Sequence, residues 1–178
     1  MRKWPAIFIG FLMFYVINIF KGPQKPLVRP PGALPEDEFL AVCIRCGQCS
    51  QVCPYHSIHI ADGKKGFSIG TPYLNLREKP CFLCKDFHCI ETCPSKALVS
   101  IEKQNVKMGL AQIDTTTCNA WLGDECRMCY VSCPFYDKAI QLPDFRRPVI
   151  SPENCVGCGV CEYVCVKDNP AIKVNPMG

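Results

Sequence analysis

Seventeen residues without a charge, Trp4 to Phe20 (WPAIFIGFLMFYVINIF), begin the hydrophobic pattern of this chain. As a helix rising about 1.5 Å per residue, the run reaches about 26 Å, close to the thickness of a bilayer core of about 30 Å. Arg2 and Lys3 on one flank and Lys21 on the other are placed to snorkel to headgroups, and Trp4 and Tyr15 are rings that suit an interface. The pattern predicts a single transmembrane helix over residues 1–21. A cleaved secretory signal is the competing reading, and Phe20-Lys21-Gly22-Pro23 makes a poor cleavage site. Five prolines follow between Gly22 and Pro35 (Pro23, Pro26, Pro30, Pro31, Pro35) and predict an extended, semi-rigid linker over residues 22–35. It serves either as a stalk off the bilayer or as a segment lying along a partner.

From residue 36 onward the apolar positions come in short β-prone pieces. Four such pieces, Ser57–Ile60, Ala97–Ile101, Ala139–Leu142 and Ala171–Val174, each follow a cluster of cysteines, and Leu110–Ile113 and Pro148–Ile150 precede one. The repeating unit reads strand, cysteine loop, short helix, strand.

The clusters align as Cys43-x2-Cys46-x2-Cys49-x3-Cys53-Pro54, Cys81-x2-Cys84-x4-Cys89-x3-Cys93-Pro94, Cys118-x7-Cys126-x2-Cys129-x3-Cys133-Pro134 and Cys155-x2-Cys158-x2-Cys161-x3-Cys165. They use all 16 cysteines of the 178 residues, and their first members are spaced by 38, 37 and 37, so residues 36–178 form an internal repeat. Spacing separates the chemistries open to such thiols. A disulfide framework has no reason to repeat a tight group of four thiols, and structural zinc commonly uses two C-x2-C pairs split by a longer loop. C-x2-C-x2-C-x3-C-P is instead the bacterial ferredoxin run. Three of its cysteines bind one [4Fe-4S] cube, and the fourth, on the helix that follows, ligates a neighbouring cube. Sixteen thiolates at four per cube give four [4Fe-4S] clusters. The longer loops of the second and third runs, and Val166 where the others have proline, leave every ligand in place. Because the fourth cysteine serves another cube, the runs must pair. Spacing alone leaves open first with second and third with fourth, or first with fourth and second with third.

Charge changes the picture further. The first 29 residues hold five basic side chains and no acidic one, and the remainder carries fifteen basic against sixteen acidic, so the net +4 belongs to the N-terminus. The cysteine-rich part has no positive footprint for nucleic acid, and no G-x-x-x-x-G-K-[ST] or G-x-G-x-x-G cradles a nucleotide. An oxidised cube with its four thiolates carries about −2, so four add about −8. Arg45, Lys85 and Arg127 lie near the runs and are candidates to offset that charge. The three histidines, His56, His59 and His88, are not needed as ligands. Tyr55, Tyr130, Phe135 and Tyr136 are read as shielding the cubes, Trp121 as covering a cluster edge or docking a partner, and Arg146-Arg147 as a solvated loop.

Together, Pro30-Pro31-Gly32-Ala33-Leu34, Phe39-Leu40-Ala41-Val42-Cys43-Ile44-Arg45-Cys46-Gly47, Gly70-Thr71-Pro72-Tyr73, Cys93-Pro94-Ser95, Met108-Gly109-Leu110-Ala111 and Cys155-Val156-Gly157-Cys158-Gly159 resemble the NapG/MauM family of ferredoxin-type proteins over residues 29–175. The resemblance implies a four-cluster polyferredoxin. Such a protein works beside a membrane quinol-oxidising iron-sulfur or cytochrome partner and passes electrons to a periplasmic redox enzyme or cytochrome. The chain is also similar to the iron-sulfur subunits of the dimethyl sulfoxide reductase class, whose runs pair first with fourth and second with third, and that analogy sets the expected pairing. NapG-type proteins usually carry a twin-arginine export signal; here Arg2-Lys3 stands in that region.

The expected fold is α+β: tandem bacterial ferredoxin-like modules, two dicluster units of small hairpins and short helices, on an N-terminal transmembrane helix. The expected function is electron transfer without a catalytic site, at the inner membrane and with the iron-sulfur domain on the periplasmic side. Two alternatives stand beside it, an electron donor for maturation of a client enzyme and an integral, possibly cytoplasmic-facing, subunit of a larger oxidoreductase.

Overall fold

The strand that leaves one cysteine run pairs with the strand that enters the next, and this happens twice. The computed structural model describes residues 26–177. In the first half, β1 (Ile58–Ile60) leaves the first run and β2 (Pro72–Leu74) enters the second, antiparallel, with Ile58 opposite Leu74 and Ile60 opposite Pro72. The stretch before the first run closes on the stretch after the second through an antiparallel bridge between Ala33 and Leu98. In the second half, β3 (Gly109–Ile113) enters the third run, β4 (Ile140–Gln141) leaves it, β5 (Val149–Ile150) enters the fourth, and β6 (Ile172–Pro176) leaves that. Here β4 pairs with β5 and β3 with β6, again antiparallel, with buried Ala111 opposite buried Val174. Both halves therefore share one topology, and each half is one dicluster unit.

That topology corrects the pairing taken from the dimethyl sulfoxide reductase class. Runs one and two share a unit, as do runs three and four, because strands adjacent in sequence close each hairpin. It also redraws the linker. The stretch from Val28 to Pro35 is not an extended stalk: Leu74 N–H donates to the Val28 carbonyl, Leu34 N–H to Ala97, and Val99 N–H to Gly32. Pro30 and Pro31 are fully buried. These residues are the entry segment of the first unit, turning at Pro31–Gly32 and meeting Leu98 through the single bridge at Ala33. Proline is tolerated there because one short bridge asks for few amide donors. The helix predicted over residues 1–21 lies outside the described residues, as do residues 22–25. Among the described residues no helix is long and apolar enough to cross a membrane.

α1 (Glu36–Val42) starts behind Pro35 with Glu36, Asp37 and Glu38 in its first turn, where the helix dipole favours carboxylates. It buries Phe39 completely. Truncating such a ring to alanine costs about 3–5 kcal/mol. Arg29, 6% exposed, sits over the Phe39 ring at 4.7 Å and holds Glu36 through two guanidinium nitrogens. It also donates to the Thr71 hydroxyl, the Ser68 hydroxyl and the Pro72 carbonyl. A buried guanidinium is tolerable only with its donors taken up in this way.

Among the described residues the remaining α-helices are single turns: α2 (Gln48–Gln51), α3 (His88–Glu91), α4 (Asn119–Leu122), α5 (Met128–Val131) and α6 (Val160–Tyr163). Helices this short do not hold in water by themselves. α2 packs on α3 and α5 on α6, which brings the two runs of each unit together. The predicted strand Ala97–Ile101 is reduced to its one bridge at Leu98.

Candidate metal centres

Three of the four loops close because the backbone reverses at fixed points, while the longer third loop turns at Gly123 instead, with φ +110°. Arg45 and Gly47 in the first run, Leu83 and Phe87 in the second, and Gly157 and Gly159 in the fourth all have positive φ, in each case just before the second cysteine and two residues before the third. Such steps turn successive amides to one side and make a concave nest. In the fourth run glycine is needed on space as well, since a Cβ on Gly157 falls 2.3 Å from the Gly109 nitrogen. The third cysteine of the first, second, third and fourth runs sits within α2, α3, α5 and α6. The fourth, which the run pattern places on the helix, lies just past its end: Val52 caps α2 and Cys53 follows.

The sixteen sulfurs fall into four groups, each of three cysteines from one run and the fourth from its partner. Cys43, Cys46 and Cys49 meet Cys93: burial pushes the Cys49 thiol up to about 11, and the other three add repulsion. Cys81, Cys84 and Cys89 line one cavity with Cys53, Tyr55 and Phe87. Cys118, Cys126 and Cys129 line another with Cys165 and Val166. Cys155, Cys158 and Cys161 line a third with Cys133 and Phe135. Burial, then neighbouring sulfurs, pushes Cys89, Cys129 and Cys158 up to about 12, and burial raises Cys161 and Cys133 as well. Cys81 is likewise pushed up to about 12 by burial. Four thiols so placed resist ionising together unless cations are supplied between them.

The donor set fits a [4Fe-4S] cube better than a single ion. Among the described residues no three His, Cys, Asp or Glu side chains converge closely enough to hold one metal ion; the sulfurs stand round a cavity. Amide donors reach the sulfurs, with Ser57 N–H 3.4 Å from Cys53 Sγ and Leu83 and Val160 amides on Cys81 and Cys158. Hydrogen bonds of this kind offset the negative charge of a thiolate-bound cube.

The groups also have an order in space. Cys89 feels Cys49, Cys158 feels Cys81, and Cys161 feels Cys129, so the sequence of neighbours is first, second, fourth, third. The fourth group is the driest: Cys155, Cys158 and Cys161 are buried, whereas in the second group only Cys89 is, Cys46 of the first group is exposed, and every cysteine of the third-run group is half-buried.

The other candidates divide. Tyr55 and Phe135 line cavities, and Tyr55 stacks on Phe82 at 4.8 Å. Tyr130 lies edge-on to Tyr136 at 6.1 Å and donates to Asp137. Trp121 donates to the Pro148 carbonyl with Arg147 over its ring, so it braces the wall beside the third-run group. Arg45 donates to the Ile69 carbonyl, and Lys85 and Arg127 are exposed. His59 lies on Tyr73 and 3.9 Å from Glu78, and His88 pairs with Glu91; none of the three histidines lines a cysteine cavity.

Two positioning residues escape the sequence pattern. Arg77 donates to the carbonyls of Glu162, Tyr163, Cys165 and Lys167, and thus holds the end of α6 and Cys165 from the other unit. Lys107 donates to the carbonyls of Pro152, Glu153 and Cys155 at the mouth of the fourth run. Contacts from 45 to 90 positions away leave no local signal; for Arg77 a cation four residues before Cys81 is the faint one available, and Lys107 has none.

Comparison with known proteins bears on the same cysteines. A family described as 4Fe-4S dicluster domain matches residues 42–97 and 124–169, which are the two units. The ferredoxin-type protein NapG of Escherichia coli K12 is 43% identical over 163 residues, covering 84% of this chain and 71% of that protein. The methylamine utilization ferredoxin-type protein MauM of Methylorubrum extorquens is 41% identical over 177 residues, covering 93% and 79%. NapG of Haemophilus influenzae is 41% identical over 183 residues, covering 95% and 66%. With two tandem dicluster units and this degree of identity along nearly its whole length, the chain belongs to the NapG/MauM family of ferredoxin-type, 4Fe-4S electron-transfer proteins.

Proposed function

We propose that this chain is a membrane-anchored carrier with four [4Fe-4S] clusters, relaying electrons between a quinol-oxidising or cytochrome subunit of the membrane and a periplasmic redox enzyme or cytochrome. The observation that carries the reading is the sorting of all sixteen cysteines into four groups of three plus one. A bound cube supplies one-electron storage and release. The ligands are Cys43, Cys46, Cys49 and Cys93 for the first; Cys81, Cys84, Cys89 and Cys53 for the second; Cys118, Cys126, Cys129 and Cys165 for the third; and Cys155, Cys158, Cys161 and Cys133 for the fourth.

The chain's own work is to hold sulfurs, aim amides and keep water out. Positive-φ loops present the N–H groups, Leu83, Phe87 and Val156 close the inner cavities, and Arg77 and the Cys81–Cys158 contact fix one unit on the other. Exposed Cys46 at one end and the half-buried third-run group at the other give partners of a carrier somewhere to approach, and the buried fourth group keeps solvent from the middle. The apolar run Trp4–Phe20 is the anchor, in keeping with its length and flanking cations.

Sidedness tests this directly. A tag placed after Gly178 is digested in intact spheroplasts if the domain is periplasmic. Digestion only in inverted vesicles overturns the quinol-to-periplasm relay and makes a cytoplasmic-facing subunit the reading to pursue.

A further inference from the structure

The chain enters its fold beside an unusual loop. Val28 and Arg29 are tied to β2 and to Ser68 and Thr71, and the loop that leads into β2, residues 62–70, reads Asp62-Gly-Lys64-Lys65-Gly-Phe67-Ser68-Ile69-Gly70. Its core is a pair of 3-10 turns over Gly63–Ser68, kinked at Gly66 (φ +54°), that leaves Phe67 65% and Ile69 51% exposed. Lys64 is exposed beside them, and Lys65 lies with its ammonium 5.4 Å from the Tyr73 ring centre. Arg45, next to Cys46, donates to the Ile69 carbonyl, so this edge also carries the first cysteine group. Of the carboxylates there, Glu36 is held by Arg29 and Asp62 accepts the Lys64 amide, while Asp37 and Glu38 of α1 are exposed.

Tether length selects the occupant. Residues 21–27 separate the end of the uncharged run at Phe20 from Val28, whose carbonyl accepts the Leu74 amide. Fully extended they span at most about 25 Å. Two of them, Lys21 and Lys25, are basic and none is acidic. If the run is a membrane anchor, as proposed above and as this inference requires, the entry face is held within that reach of the hydrocarbon boundary. Two bulky apolar side chains preceded by two lysines, on a glycine-hinged turn, are what an anionic lipid surface receives: the ring and branch sink below the headgroups while the ammonium groups stay among the phosphates.

We propose that Lys64, Lys65, Phe67 and Ile69 form a second, peripheral seat on an anionic bilayer, which lays the face bearing Cys46 and the first cysteine group against the headgroups. The seat fixes the orientation that a single helix and a short tether leave free.

The test uses the full chain, loaded anaerobically with iron and sulfide, in vesicles of phosphatidylcholine with phosphatidylglycerol, carrying photo-reactive p-benzoylphenylalanine in place of Phe67 or, for comparison, of Phe145, which is 78% exposed in the other unit. Illumination is expected to give a phospholipid adduct at position 67 and not at 145. Omitting phosphatidylglycerol, or combining Lys64→Gln with Lys65→Gln, is expected to lower the yield about tenfold or more. A chain that stays with the vesicles through a high-salt wash yet gives no lipid adduct at 67, gives equal yields at both positions, or gives a protein adduct at 67 overturns the seat and leaves the anchor standing. A chain that washes off overturns the anchor, and the seat with it.

Discussion

The amide of Cys81 donates a 2.9 Å hydrogen bond to the carbonyl of Cys158, joining a cysteine loop of one dicluster unit to a cysteine loop of the other. The contact places the second and fourth groups side by side and gives four sites a single order. Around it, Leu76 packs where α6 begins and Arg77 holds where α6 ends. The two units are therefore joined at the cysteine loops themselves, where a change of spacing bears directly on neighbouring centres.

Gly159 measures that joint. It has φ +82°, and a Cβ there falls 2.6 Å from Leu76 Cβ; Gly47, at the matching place in the first run with φ +74°, has open space around it. Gly47→Ala meets only the left-handed backbone, about 1–2 kcal/mol. Gly159→Ala meets Leu76 as well, with overpacking of about 1–3 kcal/mol more. Bleaching of the visible absorption by a chelator, followed anaerobically, is expected to be markedly faster for Gly159→Ala than for Gly47→Ala, and Leu76→Ala is expected to recover the difference in part. Equal rates would show that the backbone, not the joint, sets the cost.

Arg77→Ala removes four charge-assisted donations from the loop that carries Cys165. Taking the net contribution as about 2 kcal/mol, the third-run centre is expected to lose iron about thirtyfold faster than in the parent chain. Arg77→Lys recovers little, because a single ammonium does not reproduce the fork that reaches from Glu162 to Lys167. The readout is mass spectrometry of alkylated thiols during chelation: Cys118, Cys126, Cys129 and Cys165 are expected to react before Cys43, Cys46 and Cys49.

Pairing is open to the same chemistry. With Cys93→Ser, partial chelation is expected to expose Cys43, Cys46 and Cys49 to alkylation and to spare Cys81, Cys84 and Cys89. Cys53→Ser is expected to do the reverse. Under the pairing of the dimethyl sulfoxide reductase class, Cys165→Ser would be the change that exposes Cys43, Cys46 and Cys49.

Much of this was legible in the residues because cysteine spacing is a local code: three thiols within seven positions, as in Cys43 to Cys49, can only face one centre. The repeat of about 37 residues likewise announced a repeated unit, and the strands flanking the third and fourth runs appear within one or two residues of their predicted places. Which runs pair was not legible, since the last cysteine of a run follows a free turn and the choice is made by β1 on β2 and β4 on β5, contacts between short strands of weak signal. The entry segment was hidden by its prolines. Pro30 and Pro31 read as linker by propensity, but their burial beside Phe39 and Arg29 makes them part of the core. Arg77 was invisible for another reason: its acceptors are backbone carbonyls 85 to 90 residues away, which carry no side-chain signature.

Iron and acid-labile sulfide in the anaerobically purified full chain, counted together with electron paramagnetic resonance of the dithionite-reduced form, test the central claim most directly. The account predicts about sixteen iron and sixteen sulfide per chain, all in [4Fe-4S] centres, with spin coupling between neighbours. About eight of each, or a chain whose cysteines are found in disulfides with no visible charge-transfer band, would contradict it.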